Sequence, residues 1–198
     1  YPFLPPAVEG RRPVVGAVGP FEAGRGQSVF MKAARKLLDS GRDAQFLLAG
    51  DGSTEKALRA ECAKLGLSSR VTFVSRIPHY RTAIAGVDIF VRPAIRGGLS
   101  YTVLEAMAMG KAVIATATGE VPEMLEEGVT GLMIPKGDAG ALAETVGLLL
   151  DHPGKARTLG LAARRTVEER FGEKRLVEET LAVYEEAIAE HRKWELAP

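Results

Sequence analysis

The stretch Asp88 to Ala115 reads DIFVRPAIRGGLSYTVLEAMAMGKAVIA: a short apolar run, a loop with two adjacent glycines, an apolar segment of helical character, and a second short apolar run. Neither short run alternates with polar residues, as a strand with one wet face would, so both read as strands covered on both sides. A strand, a crossover segment and a second strand in so little chain predict a parallel pair joined by a right-handed connection.

The same alternation extends outward in both directions. Further strand-like runs are Pro13 to Val18, Ala44 to Gly50, Arg70 to Val74 and Gly131 to Pro135, which with Asp88 to Pro93 and Lys111 to Ala115 make six. Between the first two lies a segment with Phe30, Ala33, Ala34, Leu37 and Leu38 at helical spacing. The pattern predicts an α/β protein with a doubly wound, six-stranded parallel sheet. Its C-terminal third reads as three consecutive helices, AGALAETVGLLLDH, GKARTLGLAARRTVEERF and EKRLVEETLAVYEEAIAEHRKW. In the last, Val177, Leu181, Tyr184 and Ile188 form an apolar stripe, and Glu178, Glu179, Glu185, Glu186 and Glu190 lie mostly off it as a solvated face.

Composition narrows the partners. The 198 residues carry 26 Lys and Arg against 25 Asp and Glu, a net charge of +1, so no overall field attracts nucleic acid or anionic lipid. Any anion site must come from locally placed groups. Cys62 is the single cysteine, which excludes a disulfide framework and a cysteine metal cluster and fits a reducing cytoplasm. No apolar run reaches the roughly 18 to 20 residues of a membrane-spanning helix. The chain opens on YPFLPPAVEGRRP, with four prolines, so residues 1–12 are expected to be a linker, 13–198 one domain, and the whole a piece of a longer protein.

In an open parallel sheet, ligands bind beyond the carboxyl ends of the strands where strand order reverses, which directs attention to the loops after the first and fourth strands. The first loop holds Gly19, Gly24 and Gly26, residues that let backbone amides approach a phosphate. The dinucleotide fingerprint G-x-G-x-x-G is absent, since Gly16 and Gly19 are spaced G-x-x-G and Pro20 lacks an amide donor. Arg25 reads equally as a phosphate cation or a solvated loop arginine. After the second strand, Gly50, Asp51 and Gly52 make a turn, Ser53 is expected to cap a helix, and Asp51 keeps open the reading of an NAD enzyme with an acid on the ribose. The three histidines are far apart and no D-x-D occurs, so the expected chemistry is metal-free. Met107 and Met109 read as core.

Glu105 carries the only charge between Arg96 and Lys111. Thr102 to Glu105 matches a capping box, in which Glu105 would return to the Thr102 amide. Ser100 is an equally good cap, and a helix beginning there leaves Glu105 beyond the first turn, where a buried acid needs hydroxyls or other donors. Spacing leaves both readings open.

The segments AGDG, LEAMAMGKAVIAT and GEVPEMLEEGVTGLMIP, in that order, closely resemble the C-terminal half of the group 1 (family 4) GT-B glycosyltransferases, and the resemblance runs from about Val14 to the last helix. It implies a Rossmann-like domain that binds a nucleoside diphosphate sugar, paired with an N-terminal acceptor domain outside this chain. It also implies transfer with retention of anomeric configuration, without metal or cofactor, in a cytoplasmic enzyme whose membrane association, if any, runs through the acceptor half. Under this resemblance Glu105 is the second acid of an E-x7-E motif and holds the ribose hydroxyls. The amides of Leu99, Ser100 and Tyr101 hold the diphosphate, those near Arg76 and Ile77 meet the base edge, and Gly97 and Gly98 let the backbone approach the sugar. Gly19, Arg25 and Gly50 complete the substrate-binding set; no catalytic residue is assigned. Two departures stand out. Gly97 occupies the position of the first acid of E-x7-E, and Pro20 that of a first-loop arginine, with Arg25 where the family has lysine and Arg92 or Arg96 the candidates to make up the lost cation. An alternative is therefore a nucleotide-sugar binding module that has lost transfer; a GT-B relative such as a sugar epimerase ranks behind both.

Overall fold

The computed structural model describes residues 11–76, 79–98 and 100–195, with side chains described through residue 191. Along the chain these form β1 (Val14–Val18), α1 (Gln27–Asp39), β2 (Gln45–Ala49), α2 (Glu55–Lys64), β3 (Val71–Val74), α3 (Tyr80–Ala85), β4 (Ile89–Arg92) and α4 (Tyr101–Ala108). They continue as β5 (Ala112–Thr116), α5 (Val121–Met124), β6 (Leu132–Ile134), α6 (Ala139–Asp151), α7 (Pro153–Arg170) and α8 (Glu173–Glu195). All six expected strands form, each shifted by no more than a residue or two at its ends.

The strands make one sheet in the order β3-β2-β1-β4-β5-β6, and every pairing is parallel. Strand order reverses between β1 and β4, where Val15 pairs with Phe46 on one side and Ile89 on the other. Because successive side chains point to opposite faces, the wholly buried β4 feeds two cores at once. Ile89 and Val91 join Phe30, Leu37, Phe46, Leu48 and Leu142 on one face, whereas Phe90 joins Ile84, Val103, Met107 and Val113 on the other. Phe30 and Phe46 meet edge to face at a 6.0 Å centroid separation, which ties α1 to β2. Burial on both faces is the physical reason these strands carry no polar alternation.

Several local expectations are refined. Ser53 does not cap α2; Thr54 takes the N-cap position, without a side-chain bond to the helix. Met107 is buried as expected, Met109 packs against the second core, and Cys62 is buried as well. Asp138 caps α6, accepting from the amides of Gly140 and Ala141 at 2.9 Å. The expected stripe on α8 exists, but Val177, Leu181, Tyr184 and Ile188 all remain at least half exposed, so no other described element covers it. Residues 1–10 of the expected linker lie outside the described residues. Arg11 and Arg12 are held at the amino edge of the sheet by Asp88 and Asp43.

Candidate functional site

At the β1/β4 reversal a cleft of about 450 Å³ opens beyond the carboxyl ends of the strands. Its floor is formed by Ala17, Val91 and Pro93, one wall by the first loop with Gly19, Pro20 and Arg25, and the other by Ser100, Tyr101 and Glu105 at the start of α4.

The first loop is fixed from beneath. Phe21 is fully buried, packs edge to face with Phe73, donates its amide to the Asp51 carbonyl, and accepts from the Thr54 amide. Gly26, at φ 81°, is the N-cap of α1, and a Cβ there would lie 1.8 Å from the Pro93 carbonyl oxygen. Only glycine permits that approach, which brings the start of α1 against the end of β4. Gln27, buried, donates to the Pro20 carbonyl at 2.7 Å. Neither α1 nor α4 has a side-chain cap or an acid in its first turn, so both helices present uncapped N-termini at this end of the sheet. Aligned amides and the positive end of the helix dipole favour an anion there.

Two arginines reinforce that preference. Arg92, the last residue of β4, is 7% exposed and donates to the Thr118 hydroxyl and the Gly98 carbonyl, each at 3.2 Å. Burial and the neighbouring Arg25 charge both disfavour its positive charge, and Glu120 partly offsets them. An anion bound between the two guanidinium groups would relieve both penalties. Arg25 is itself half exposed, with a loose 3.5 Å contact to Glu22. Arg96 lies with its side chain against Gly24, outside the cleft lining, so Arg92 is the better replacement for the first-loop cation.

On the opposite wall, Glu105 is not part of a capping box. Ser100 is the N-cap of α4, and the Glu105 carboxylate accepts from Arg81 Nε of α3 at 3.1 Å. The pair is only partly buried, with side chains 62% and 30% exposed, so the acid keeps acceptor capacity toward the cleft. Tyr80 and His79 line the same wall, and burial together with the Asp51 and Glu22 charges pushes the Tyr80 hydroxyl above its ordinary pKa.

The structure therefore brings together Gly19, Arg25, Ser100, Tyr101 and Glu105. Gly98, at φ 135° with open space where a side chain would be, is outside the cleft lining and accepts from Arg92 through its carbonyl. Gly50 does not line the cleft; it lies behind Gly19, whose carbonyl oxygen would be 2.0 Å from a Cβ at Gly50. Arg76 follows β3 in the left-handed region at φ 57° and is likewise outside the lining. Ile77 and Leu99 lie outside the described residues. Sequence reasoning missed Gln27, Tyr80 and Arg81. Gln27, immediately after the first-loop glycines, was the one most open to recognition. Among the described residues no group of three or more His, Cys, Asp or Glu side chains could hold a metal, and no helix is long and apolar enough to cross a membrane.

An open parallel sheet of order 3-2-1-4-5-6 with a cationic, helix-flanked cleft at its reversal point defines a Rossmann-like domain of the GT-B type. The chain belongs to the family Glycosyl transferases group 1, whose pattern it matches over residues 12–152. It is 29% identical over 182 residues to 2-deoxystreptamine glucosyltransferase from Streptomyces kanamyceticus, covering 91% of this chain and 47% of that protein. To alpha-D-kanosaminyltransferase of the same organism it is 33% identical over 144 residues, 72% of this chain and 37% of the relative. In structure it is similar to sucrose-phosphate synthase of Thermosynechococcus elongatus, with a TM-score of 0.83 and 28% identity over 90% of this chain and 46% of the other. It also shares the fold of a C-terminal domain of a group 1 glycosyl transferase from Francisella tularensis, with a TM-score of 0.74 and 21% identity over 81% of this chain and 87% of that domain. The chain thus spans less than half the length of the full-length relatives named here.

Proposed function

We propose that the cleft binds a nucleoside diphosphate sugar and that the chain is the donor half of a retaining glycosyltransferase, the acceptor half being supplied by the N-terminal domain of the longer protein. One observation carries this reading: the buried Arg92 and the neighbouring Arg25 lie where two uncapped helix N-termini converge, with the Glu105 carboxylate on the facing wall. A diphosphate fits the cationic side, and vicinal ribose hydroxyls fit an acceptor-only carboxylate. The Anabaena protein HepE, which shares this fold, was solved in complex with UDP-glucose, and the reading is consistent with such a ligand in the cleft.

In the reaction so proposed, the bond between the anomeric carbon and the β-phosphate oxygen breaks and its electron pair passes to that oxygen. Arg92, Arg25 and the helix amides stabilise the charge that develops there. The acceptor hydroxyl oxygen bonds to the anomeric carbon on the face the phosphate leaves, and its proton passes to the departing phosphate. No step requires a metal, because the two guanidinium groups supply the positive charge. Residues 13–198 act as one nucleotide-sugar binding unit, and the base would meet the wall near Arg76.

A second reading, a sugar-nucleotide binding module without transfer, rests on Gly97. Calorimetric titration of this chain with UDP, GDP, ADP, their hexose conjugates and NAD tests the binding claim. Binding of at least one sugar nucleotide, with NAD binding weaker, is expected; tight NAD binding without any sugar nucleotide would overturn the reading. Sugar transfer by the full-length protein then separates an enzyme from an inert module.

A further inference from the structure

Position 97 has no room for a side chain. A Cβ on Gly97 would fall 2.7 Å from both the Cα and the amide nitrogen of Gly119, and one on Gly119 would fall 2.5 Å from the Gly98 nitrogen. The glycine loop after β4 and the loop after β5 therefore touch backbone to backbone. Gly119, at φ 59°, is in the left-handed region that favours glycine, which fixes the contact from both sides. The residue that follows is Glu120, immediately before α5.

Glu120 is an anomaly in its surroundings. Its Oε2 is buried and has no hydrogen-bond partner among the described residues. Its charge acts on Arg92, yet the two form no ion pair, because the Arg92 guanidinium is turned to Thr118 and Gly98. A carboxylate can only accept, and a buried acceptor left unmet is costly, so this oxygen is suited to a donor that arrives with a ligand. Charge decides which part of the ligand that is. The diphosphate is drawn to Arg92 and Arg25 and repelled by Glu120, which leaves the neutral, hydroxyl-bearing portion beyond the phosphates.

We infer that Glu120 is the residue that recognises the donor sugar, accepting hydrogen bonds from its hydroxyls in place of a side chain at position 97. The inference rests on the donor-binding reading above and deepens it. The loop contact carries the carboxylate: Gly97 and Gly119 meet, a Cβ at Gly98 would face open space, and the next side chain along the β5 loop holds an unsatisfied acceptor whose charge reaches Arg92.

The test compares a nucleotide with its sugar conjugate on the same chain. UDP, UDP-glucose, GDP and GDP-mannose are titrated into the parent chain, Glu120→Ala and Glu120→Gln, with a thermal melt of each. In Glu120→Ala the affinity for the sugar nucleotide is expected to fall at least tenfold while that for the matching nucleoside diphosphate changes less than threefold. Glu120→Gln, which keeps an acceptor oxygen without charge, should fall between. If sugar nucleotide and nucleoside diphosphate weaken together, or neither weakens, Glu120 acts only through Arg92 or not at all and the inference fails alone. If the parent chain binds none of the four, the donor-binding reading fails and takes the inference with it.

Discussion

The two ends of the β4–β5 strand pair each bury a cation, and they treat it in opposite ways. At the amino end Lys111, 6% exposed, gives its ammonium group to the carbonyls of Ala85 and Val87 at 2.7 and 2.8 Å. At the carboxyl end Arg92, 7% exposed, makes two longer bonds and faces the cleft beside another cation. Burial depresses the pKa of both groups. Lys111 is compensated by bonds within the domain and fastens the α3–β4 turn to the sheet, whereas Arg92 is compensated in part and leaves its deficit to be met from outside. Equal burial thus separates a structural tie from a candidate binding group only when the bonds are counted and their lengths compared.

Arg92→Met sharpens this contrast most. Loss of a charge-assisted contact to the diphosphate should weaken nucleoside diphosphate binding by about 2 to 3 kcal/mol, roughly thirty- to a hundred-and-fiftyfold by calorimetry. Its folding stability should stay within about 1 kcal/mol of the parent, because an apolar replacement also removes a poorly compensated buried charge. Lys111→Met should do the reverse, with urea unfolding showing a loss of about 1 to 3 kcal/mol as two carbonyls lose their donor, and with unaltered nucleotide affinity. If Lys111→Met weakens binding as much as Arg92→Met does, the division of labour between the two ends is wrong.

Glu105→Ala, on the facing wall, is expected to reduce nucleotide affinity by about 1 to 3 kcal/mol through the ribose hydroxyls. An unchanged affinity would leave Glu105 as no more than the partner of Arg81.

The smallest effect is one of pH. Lys111 has a depressed pKa when folded, so as pH rises through that value toward the ordinary lysine range the unfolded chain holds more protons than the folded one. Its contribution therefore makes the domain more stable as pH rises across that window, and the penalty for its buried charge is full below it. Denaturation of the parent and Lys111→Met at a series of alkaline pH values should show the gap between them widening in favour of the parent. A constant gap would mean that the two carbonyls already cancel the cost of burial.

The fold was legible because its signals are local: six uniformly apolar runs, helical spacing between them, and glycines where the first and fourth strands end. The backbone parts of the candidate site were local for the same reason, and Gly19, Ser100 and Tyr101 line the cleft where strand order reverses. What escaped depends on contacts between distant segments. Glu105 looked equally suited to a capping box because its partner, Arg81, is 24 residues away on another helix. Gly97 looked like a missing acid, and only the packing of Gly119 against it shows that a side chain would not fit there. Gly50 was expected to meet substrate and lies behind Gly19 rather than on the cleft lining, two placements that glycine spacing alone does not distinguish. Glu120 did leave a trace, an acid directly after a glycine at the carboxyl end of β5, but its unsatisfied oxygen is visible only in three dimensions.

The bare stripe along α8 governs how this chain behaves in a tube. Val177, Leu181, Tyr184 and Ile188 place contiguous oily surface on a helix of 23 residues, about 34 Å long, while the acids around them keep it wetted. Salt that screens those acids should make the molecule adhesive before it unfolds, so turbidity at high concentration would report α8 rather than the sheet. Replacing Leu181 and Ile188 with lysine or glutamine should clear such solutions without altering the cleft, and would give a better-behaved chain for the titrations that decide its chemistry.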